Sequence, residues 1–365
     1  MNARERFHTI MSFQQPDRIP MWKLEAITEQ AVRRWCSEGL PLGAQIDRHV
    51  GFDPVIAVPL STDPLPNFVP RTIATDENSF TTIDRYGFTV RTMKHAAVSP
   101  TTYYYLKGCV DTRADWEAMK NRYDPTDIRR YGTAWGDDLF EYYRTATCPI
   151  ALTLTWGPGR GIKNGYMLGL EGFLDRVANE PALLEDMFEF WCDFLIRLVA
   201  PLLDRVQPDY IFLDEDGIAY KNSALVSPSV YRRLWIPHIR RFVEFVRSKG
   251  VAIVGHYTSG DVSCLIPALL DAGVTLFAPI EVASGMDVGR LRRTFGKNIL
   301  LMGNIARDAL IEGPEAIDRQ LDAKVPVLLR EGGYIPAVDD QILPDVSYSN
   351  YMYYVHRIRN YPMAR

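Results

Sequence analysis

A chain of 365 residues with 47% apolar side chains can fill one large α/β domain or two small ones around a sizeable core. Its net charge of -4 comes from acids and bases mixed along the chain, with no basic stripe for nucleic acid and no polybasic segment for a membrane surface. No apolar run approaches the roughly 20 residues of a membrane span. The charged start, MNARERFHTIMSF, has helical rather than signal-peptide character. Five scattered cysteines, Cys36, Cys109, Cys148, Cys192 and Cys264, form no CxxC or CxH pair and read as reduced thiols. The expected location is the cytoplasm, and a homodimer is compatible with the chain.

Residues 1 to 13 suggest a helix with Phe7, Ile10 and Met11 on one face. Pro16 and Pro20 bracket a turn, and a strand can start at Ile19 to Trp22, with Lys23 and Glu25 emerging at its end. Residues 26 to 38 fit a helix, and DPVIAVPL, 53 to 60, a second strand. From 64 to 112 the texture changes. Prolines are followed by SFTTIDRYGFTVRTMK and TTYYYLKGCV, rich in β-branched and aromatic residues between turn signals. That pattern predicts an antiparallel excursion. PIALTLTW, 149 to 156, returns to a buried strand, and GPGRGIKNGY after it carries Arg160 and Lys163. Its glycine spacing matches neither phosphate-binding fingerprint, so a plain βα loop is the reading.

The rhythm is then regular. A helical region spans about 167 to 206, and DYIFLDEDG is a strand ending in three acids. SPSVYRRLWIPHIRRFVEFVRSKG reads as one helix with Ser227 as N-cap, Pro228 at its first position and Gly250 beyond its end. VAIVGHYTSGDVSCLIPALLDAGVTLFAPIEV, 251 to 282, is strand, loop, helix, strand, loop, with polar residues where each strand finishes. NILLMGNI is a further strand. A helix interrupted or kinked near Pro326 follows, then a last strand and a closing helix. Strands therefore fall near 19, 54, 149, 209, 251, 274, 299 and 333, mostly separated by helices. The expected fold is a (β/α)8 TIM barrel over 1–365 as one domain, with the antiparallel excursion near 64–112.

A barrel gathers its strand ends at one mouth. The candidates there are Trp22, Lys23, Glu25, Trp156, Asp214, Glu215, Asp216, His256 to Asp261, Glu281, Asn304, Asp339 and Asp340. Acids predominate, and crowded carboxylates either meet a cation or take up a proton. One reading is metal: His256, Glu281 and Asp340 offer a nitrogen and two carboxylates, a set that zinc accepts. The other is proton transfer through Asp214 or Asp216. The plainer alternative is that these acids cap helices and pair with arginines. The aromatic run YSNYMYYVHRIRN, the arginines of RRLWIPHIRR and Cys264 read as packing, a solvated face and an inert buried thiol.

The chain resembles the uroporphyrinogen decarboxylase superfamily. The resemblance rests on RERFHTIMSFQQPDRIP, on DEDGIAYKNSALVSPSVYRRLWIPHIRRF, on the run from HYTSGDVSCLIPALL to NILLMGNI, and on GGYIPAVDDQILPDVSYSNYMYY. It implies a (β/α)8 barrel. PMWKLEAITEQ lacks the arginine-rich signature of the haem-pathway decarboxylase, so the cobalamin-dependent methyltransferase branch is the more similar one. In that branch's pattern Tyr257 stands at a usual histidine position, Ser259 at a usual Cys or Asp, and Asp340 where related sequences carry histidine; Glu281 fits.

The resemblance implies methyl transfer between a small methylated substrate and a corrinoid carried by a partner protein. Asp214, Asp216, Tyr257 and His256 are the expected catalytic groups, and Trp22, Lys23, Trp156, Arg160 and Asn304 the expected substrate contacts. Glu281, His256 and Asp340 are the expected ligands if zinc is held. The pattern puts Tyr257, not His256, toward the mouth, which predicts weak or no zinc binding. A decarboxylase-like lyase, with Lys23 or Arg160 holding substrate carboxylates, is the alternative, as is a barrel that binds a corrinoid or tetrapyrrole without turnover.

Overall fold

The computed structural model describes residues 1–94, 103–158 and 161–362. Its first strand is β1 (Ile56–Ala57), followed by β2 (Arg71–Thr75), β3 (Ser79–Ile83), β4 (Thr89–Met93) and β5 (Tyr103–Lys107). Then come β6 (Ile150–Thr155), β7 (Tyr210–Asp214), β8 (Val254–Tyr257), β9 (Leu276–Ala278), β10 (Leu300–Ile305) and β11 (Tyr334–Val338). Seven of them, β1-β6-β7-β8-β9-β10-β11, form one parallel sheet in chain order. The remaining four, β2 to β5, form an antiparallel sheet, the excursion that the sequence led us to expect.

The eighth strand expected near residue 19 does not form, and among the described residues no hydrogen-bonded ladder closes the parallel sheet into a barrel. Pro20 has no N–H to give to a ladder, which disfavours a regular strand there. Residues 19–28 instead hydrogen-bond to the segments flanking the two edge strands. The Asp53 N–H donates to the Met21 carbonyl at 2.8 Å. At the other edge Ile27 bridges Ile342 in parallel, with the Ile342 N–H on the Ala26 carbonyl at 2.9 Å. The architecture is therefore barrel-like, seven strands and one irregular stave.

Prolines also divide two of the expected helices. The helix begun at Ser227, whose side chain accepts from the Val230 N–H, ends at Leu234, and a second runs from Ile236 to Ser248. Pro237 cannot donate back into the preceding turn. The region from 167 breaks into Leu170–Asn179 and Pro181–Leu203, with Pro181 in the first turn of the second helix. By contrast, Pro314–Glu331 is a single helix that contains Pro326, where an interruption or a kink was expected.

Side chains alternate across each strand. Ala151, Tyr210, Phe212, Leu276, Ala278, Leu300 and Met302 face one way and pack with Phe7 and Trp22. Leu152, Ile211, Leu213, Val254, Phe277 and Leu301 face the surrounding helices. Both faces of β7 and β10 are covered, which is why those strands read as nearly unbroken apolar runs. At Gly303 (φ +104°) β10 passes so close to the preceding loop that a Cβ would lie 1.8 Å from the Pro279 carbonyl oxygen.

Candidate active site

The inward face of β7 carries Tyr210 and Phe212 and so delivers Asp214 to the mouth; β8 delivers Tyr257 beside it, with Asp214 and Tyr257 in register. A continuous file of rings lies under them. Tyr257 meets Phe212 edge-on at 5.4 Å, Phe212 meets Tyr210 at 5.3 Å, and Tyr210 meets Phe7 at 5.3 Å. Trp22 stacks on Phe7 at 5.2 Å and is 6% exposed, so it belongs to this floor rather than to the mouth.

Above the file, the Tyr257 hydroxyl donates to Glu25 Oε1 in a very short contact and lies 3.3 Å from the Leu24 carbonyl. Glu25 sits on the irregular stave, half-buried. Burial pushes its carboxyl up; the Tyr257 hydrogen bond works against that, while the negative charges of Asp340, Asp216 and Asp214 add to it, and the result is about 7. Burial first, then the Glu25 charge, also drives the Tyr257 phenol far above its ordinary range, so it stays a donor. The Asp216 N–H reaches Asp214 Oδ1 at 3.2 Å, and Asp216 Oδ1 accepts from the Ser259 N–H at 3.5 Å. Asp340 is ion-paired with Arg307 at 2.8 Å. Asp214, Asp216 and Tyr257, expected as catalytic groups, are thus brought together with Glu25, which sequence reasoning had only among its many mouth candidates.

The other expected residues lie elsewhere. His256 faces outward, 1% exposed, with Nε2 2.9 Å from Glu215 Oε2. The alternation that brings Tyr257 inward sends His256 behind the sheet, so His256 is neither a mouth acid–base nor a neighbour of the other expected ligands. Trp156 faces the same way, 1% exposed and edge-on to Phe242 at 5.9 Å, out of reach of a substrate. Lys23 pairs with Asp47 at 2.5 Å. Asn304, fully buried with φ +62°, spends its amide on the Ile280 and Met286 carbonyls at 2.7 and 2.9 Å and its oxygen on the Val288 N–H. It ties the single connection 280–288 after β9 to the end of β10. Arg160 lies outside the described residues.

The expected zinc donors do not assemble. Glu281 Oε2 accepts from the Gly260 N–H at 2.7 Å and the Ser284 hydroxyl at 2.6 Å, Asp340 holds Arg307, and His256 is behind the sheet. Among the described residues no three His, Cys, Asp or Glu side chains converge as a metal site would require. The donors therefore do not fit a zinc site of that composition. Asp339, 4% exposed, accepts from the Val282 and Arg307 N–H groups at 2.7 and 3.1 Å; burial pushes its carboxyl up to about 6. It ties the loops after β9 and β10 to the end of β11.

Glu25 was named among the mouth candidates without a role, and other residues escaped the sequence reading altogether. Glu25 has a faint signal, three residues beyond a strand-like IPMW. Tyr166, Tyr231 and Trp235, which gather around Glu215, have none, because nothing in their spacing relates them.

Comparison with known proteins agrees with the fold. The chain is 27% identical over 192 residues to a uroporphyrinogen decarboxylase of Chloroherpeton thalassium, covering 52% of this chain. It thus spans about half, 50%, of that relative's length. A solved methyltransferase from Methanosarcina mazei superimposes over 99% of this chain and 98% of its own, with a TM-score of 0.60 at 14% identity. The family model of uroporphyrinogen decarboxylase (URO-D) matches residues 164–361. That span holds β7 to β11 and all of the mouth except the stave that carries Glu25, and this chain belongs to the uroporphyrinogen decarboxylase family.

Proposed function

We propose that the protein is a methyltransferase of this family, moving a methyl group between a small methylated substrate and a corrinoid carried by a partner protein. The observation that carries the reading is the Glu25–Tyr257 pair, a carboxyl pushed up to about 7 with a phenol hydroxyl on it, at the mouth of a barrel-like fold. In methyl transfer the bond from carbon to a heteroatom breaks as the bond from carbon to the acceptor forms. The heteroatom leaves with an electron pair and needs a proton. Glu25, near half protonation at neutral pH, supplies it. The Tyr257 hydroxyl then holds the new carboxylate by a charge-assisted hydrogen bond, stronger than the bond it made to the neutral acid. Asp214, Asp216 and Asp340 keep the proton on Glu25 until then by their negative field.

A corrinoid would supply the methyl acceptor. Glu25, Asp214, Asp216, Tyr257 and Asp340 are all half-buried rather than sealed, which suits a cofactor presented from outside by another protein. The likeness in fold to the Methanosarcina methyltransferase supports the reading over nearly the whole chain. The decarboxylase alternative has the Chloroherpeton relative in its favour, over half of each chain. It calls for cations facing a substrate's carboxylates; of the two named for that role, Lys23 is engaged with Asp47 and Arg160 lies outside the described residues.

The test is transfer from a panel of methylated amines, ethers and thioethers to reduced free cobalamin, followed by absorbance. Transfer by the wild type and a loss of about 100-fold in Glu25→Gln are expected. Absence of transfer across the panel, with release of carbon dioxide from a carboxylated substrate, would replace this reading with the alternative.

A further inference from the structure

The run Asp214-Glu215-Asp216 divides its acids between two sides of the sheet. Asp214 and Asp216 serve the mouth, whereas Glu215 is fully buried behind it. A buried carboxylate needs partners, and Glu215 has them from separate parts of the chain. Its Oε1 accepts from the Tyr166 hydroxyl at 2.8 Å; its Oε2 accepts from the Tyr231 hydroxyl at 2.7 Å and meets His256 Nε2 at 2.9 Å. The Trp235 indole N–H in turn donates to the Tyr166 oxygen at 3.0 Å, and Trp235 stacks on Tyr231 at 5.3 Å. Tyr166, Tyr231 and Trp235 are all 0% exposed.

This arrangement is a poor way to gain stability alone. Among the described residues His256 Nδ1 is buried without a partner, and well-packed apolar side chains of similar volume commonly match or exceed such a network. What the network has that an apolar core lacks is direction. Leu213 of β7 is in register with His256 of β8, and Asp214 with Tyr257. The Glu215 N–H also donates to the Tyr257 carbonyl at 3.0 Å. The Glu215–His256 contact therefore joins two strand ends at the positions adjacent to the mouth groups. We propose that Glu215 and His256 are positioning residues, a clamp behind the sheet that turns Asp214, Asp216 and Tyr257 into the mouth. Tyr166 and Tyr231 anchor the clamp to the helices around it.

The inference rests on reading Glu25 and Tyr257 as the working pair of the mouth. Its test needs no substrate, so failure of the methyl-transfer reading leaves it standing, and its own failure leaves that reading standing. The reporter is the titration midpoint of Glu25, followed by carboxyl 13C NMR on the full chain. The groups that face Glu25 are Tyr257, Asp214, Asp216 and Asp340. If the clamp opens, Glu25 keeps its burial and its acidic neighbours but loses the Tyr257 hydrogen bond. In His256→Leu the midpoint should rise by about one unit, and in His256→Gln, which keeps an N–H near the place of Nε2, it should return to the wild-type value. A folded His256→Leu protein with an unchanged midpoint, or an equal rise in His256→Gln, would overturn the proposal, whatever happens to the melting temperature. If His256→Leu does not fold, Tyr231→Phe removes one donor to Glu215 with little change in volume, and the same rise or its absence decides.

Discussion

Glu25 is held in a state that the rest of the molecule opposes. Its carboxyl would ionise readily in water; burial and three acidic neighbours keep it protonated up to about 7. A group whose folded pKa is raised contributes stability that is full below its unfolded pKa and is lost as pH rises through the folded value. At pH 8 the ionised Glu25 therefore destabilises the fold, by on the order of 3 kcal/mol. Glu25→Gln should consequently melt higher than the wild type at pH 8 and nearly together with it at pH 4. Equal melting temperatures at pH 8 would mean that Glu25 is not strained. At the same scale, Tyr257→Phe removes the one hydrogen bond that lowers the Glu25 carboxyl, so the Glu25 midpoint should rise, as read by carboxyl 13C titration. A fall would show that water entry, rather than the phenol, governs the site.

Strands and their ends explain both what the sequence revealed and what it hid. Seven of the eight expected strands form, because a strand covered on both faces writes itself as a short apolar run. The eighth carries Pro20 and only bridges its neighbours. Within β8 the period of two settles which of His256 and Tyr257 enters the mouth, and the family pattern had already favoured Tyr257. The Glu215 network was not legible: its members come from β7, β8 and the loops and helices beyond, and only the fold makes them neighbours. Asn304 misled for a related reason. A polar residue at a strand end can serve the mouth or satisfy loop carbonyls, and only its contacts distinguish the two. Gly303, one residue earlier, tests that loop packing. Gly303→Ala adds a Cβ against a backbone oxygen at a positive φ, neither of which can relax easily. A loss of about 2–3 kcal/mol in urea unfolding is expected; a loss under 0.5 would mean that β10 and the Pro279 loop move apart freely.

At the scale of the whole molecule, the sheet is open among the described residues, and the N-terminal segment does the work of the eighth strand. Helix Ala3–Met11, begun by a capping box of Asn2 and Glu5, presses Phe7 against the ring file. Arg6 holds it in place, 5% exposed, reaching Asp17 at 2.7 Å and Asp53 at 2.9 Å, with Arg18 on Asp53 at 2.6 Å. The Arg6 hydrogen bond leads in lowering the Asp17 carboxyl far below its ordinary range. At Asp209 burial pushes upward, but hydrogen bonds from His8, the Ile150 N–H and Arg4 together prevail and lower it. Both contributions are present above the ordinary aspartate value and are lost as pH falls through the folded one, so thermal stability should decline below about pH 4. Arg6→Ala, which leaves buried Asp53 with Arg18 and the Met21 N–H, should lose about 3 kcal/mol, measured by urea unfolding at pH 7. An unchanged midpoint would show that the N-terminal helix is dispensable to the open sheet.

The claim that joins these scales is that the mouth transfers a proton while a methyl group moves. Its most direct measurement is the pH dependence of single-turnover methyl transfer from a methylated donor to reduced cobalamin. An acid must be protonated to act, so the rate should be level at low pH and fall tenfold per unit above about 7. That fall should be absent from the residual rate of Glu25→Gln. A wild-type rate that is flat from pH 6 to 9, in that range of roughly three units about the Glu25 value, would contradict the account.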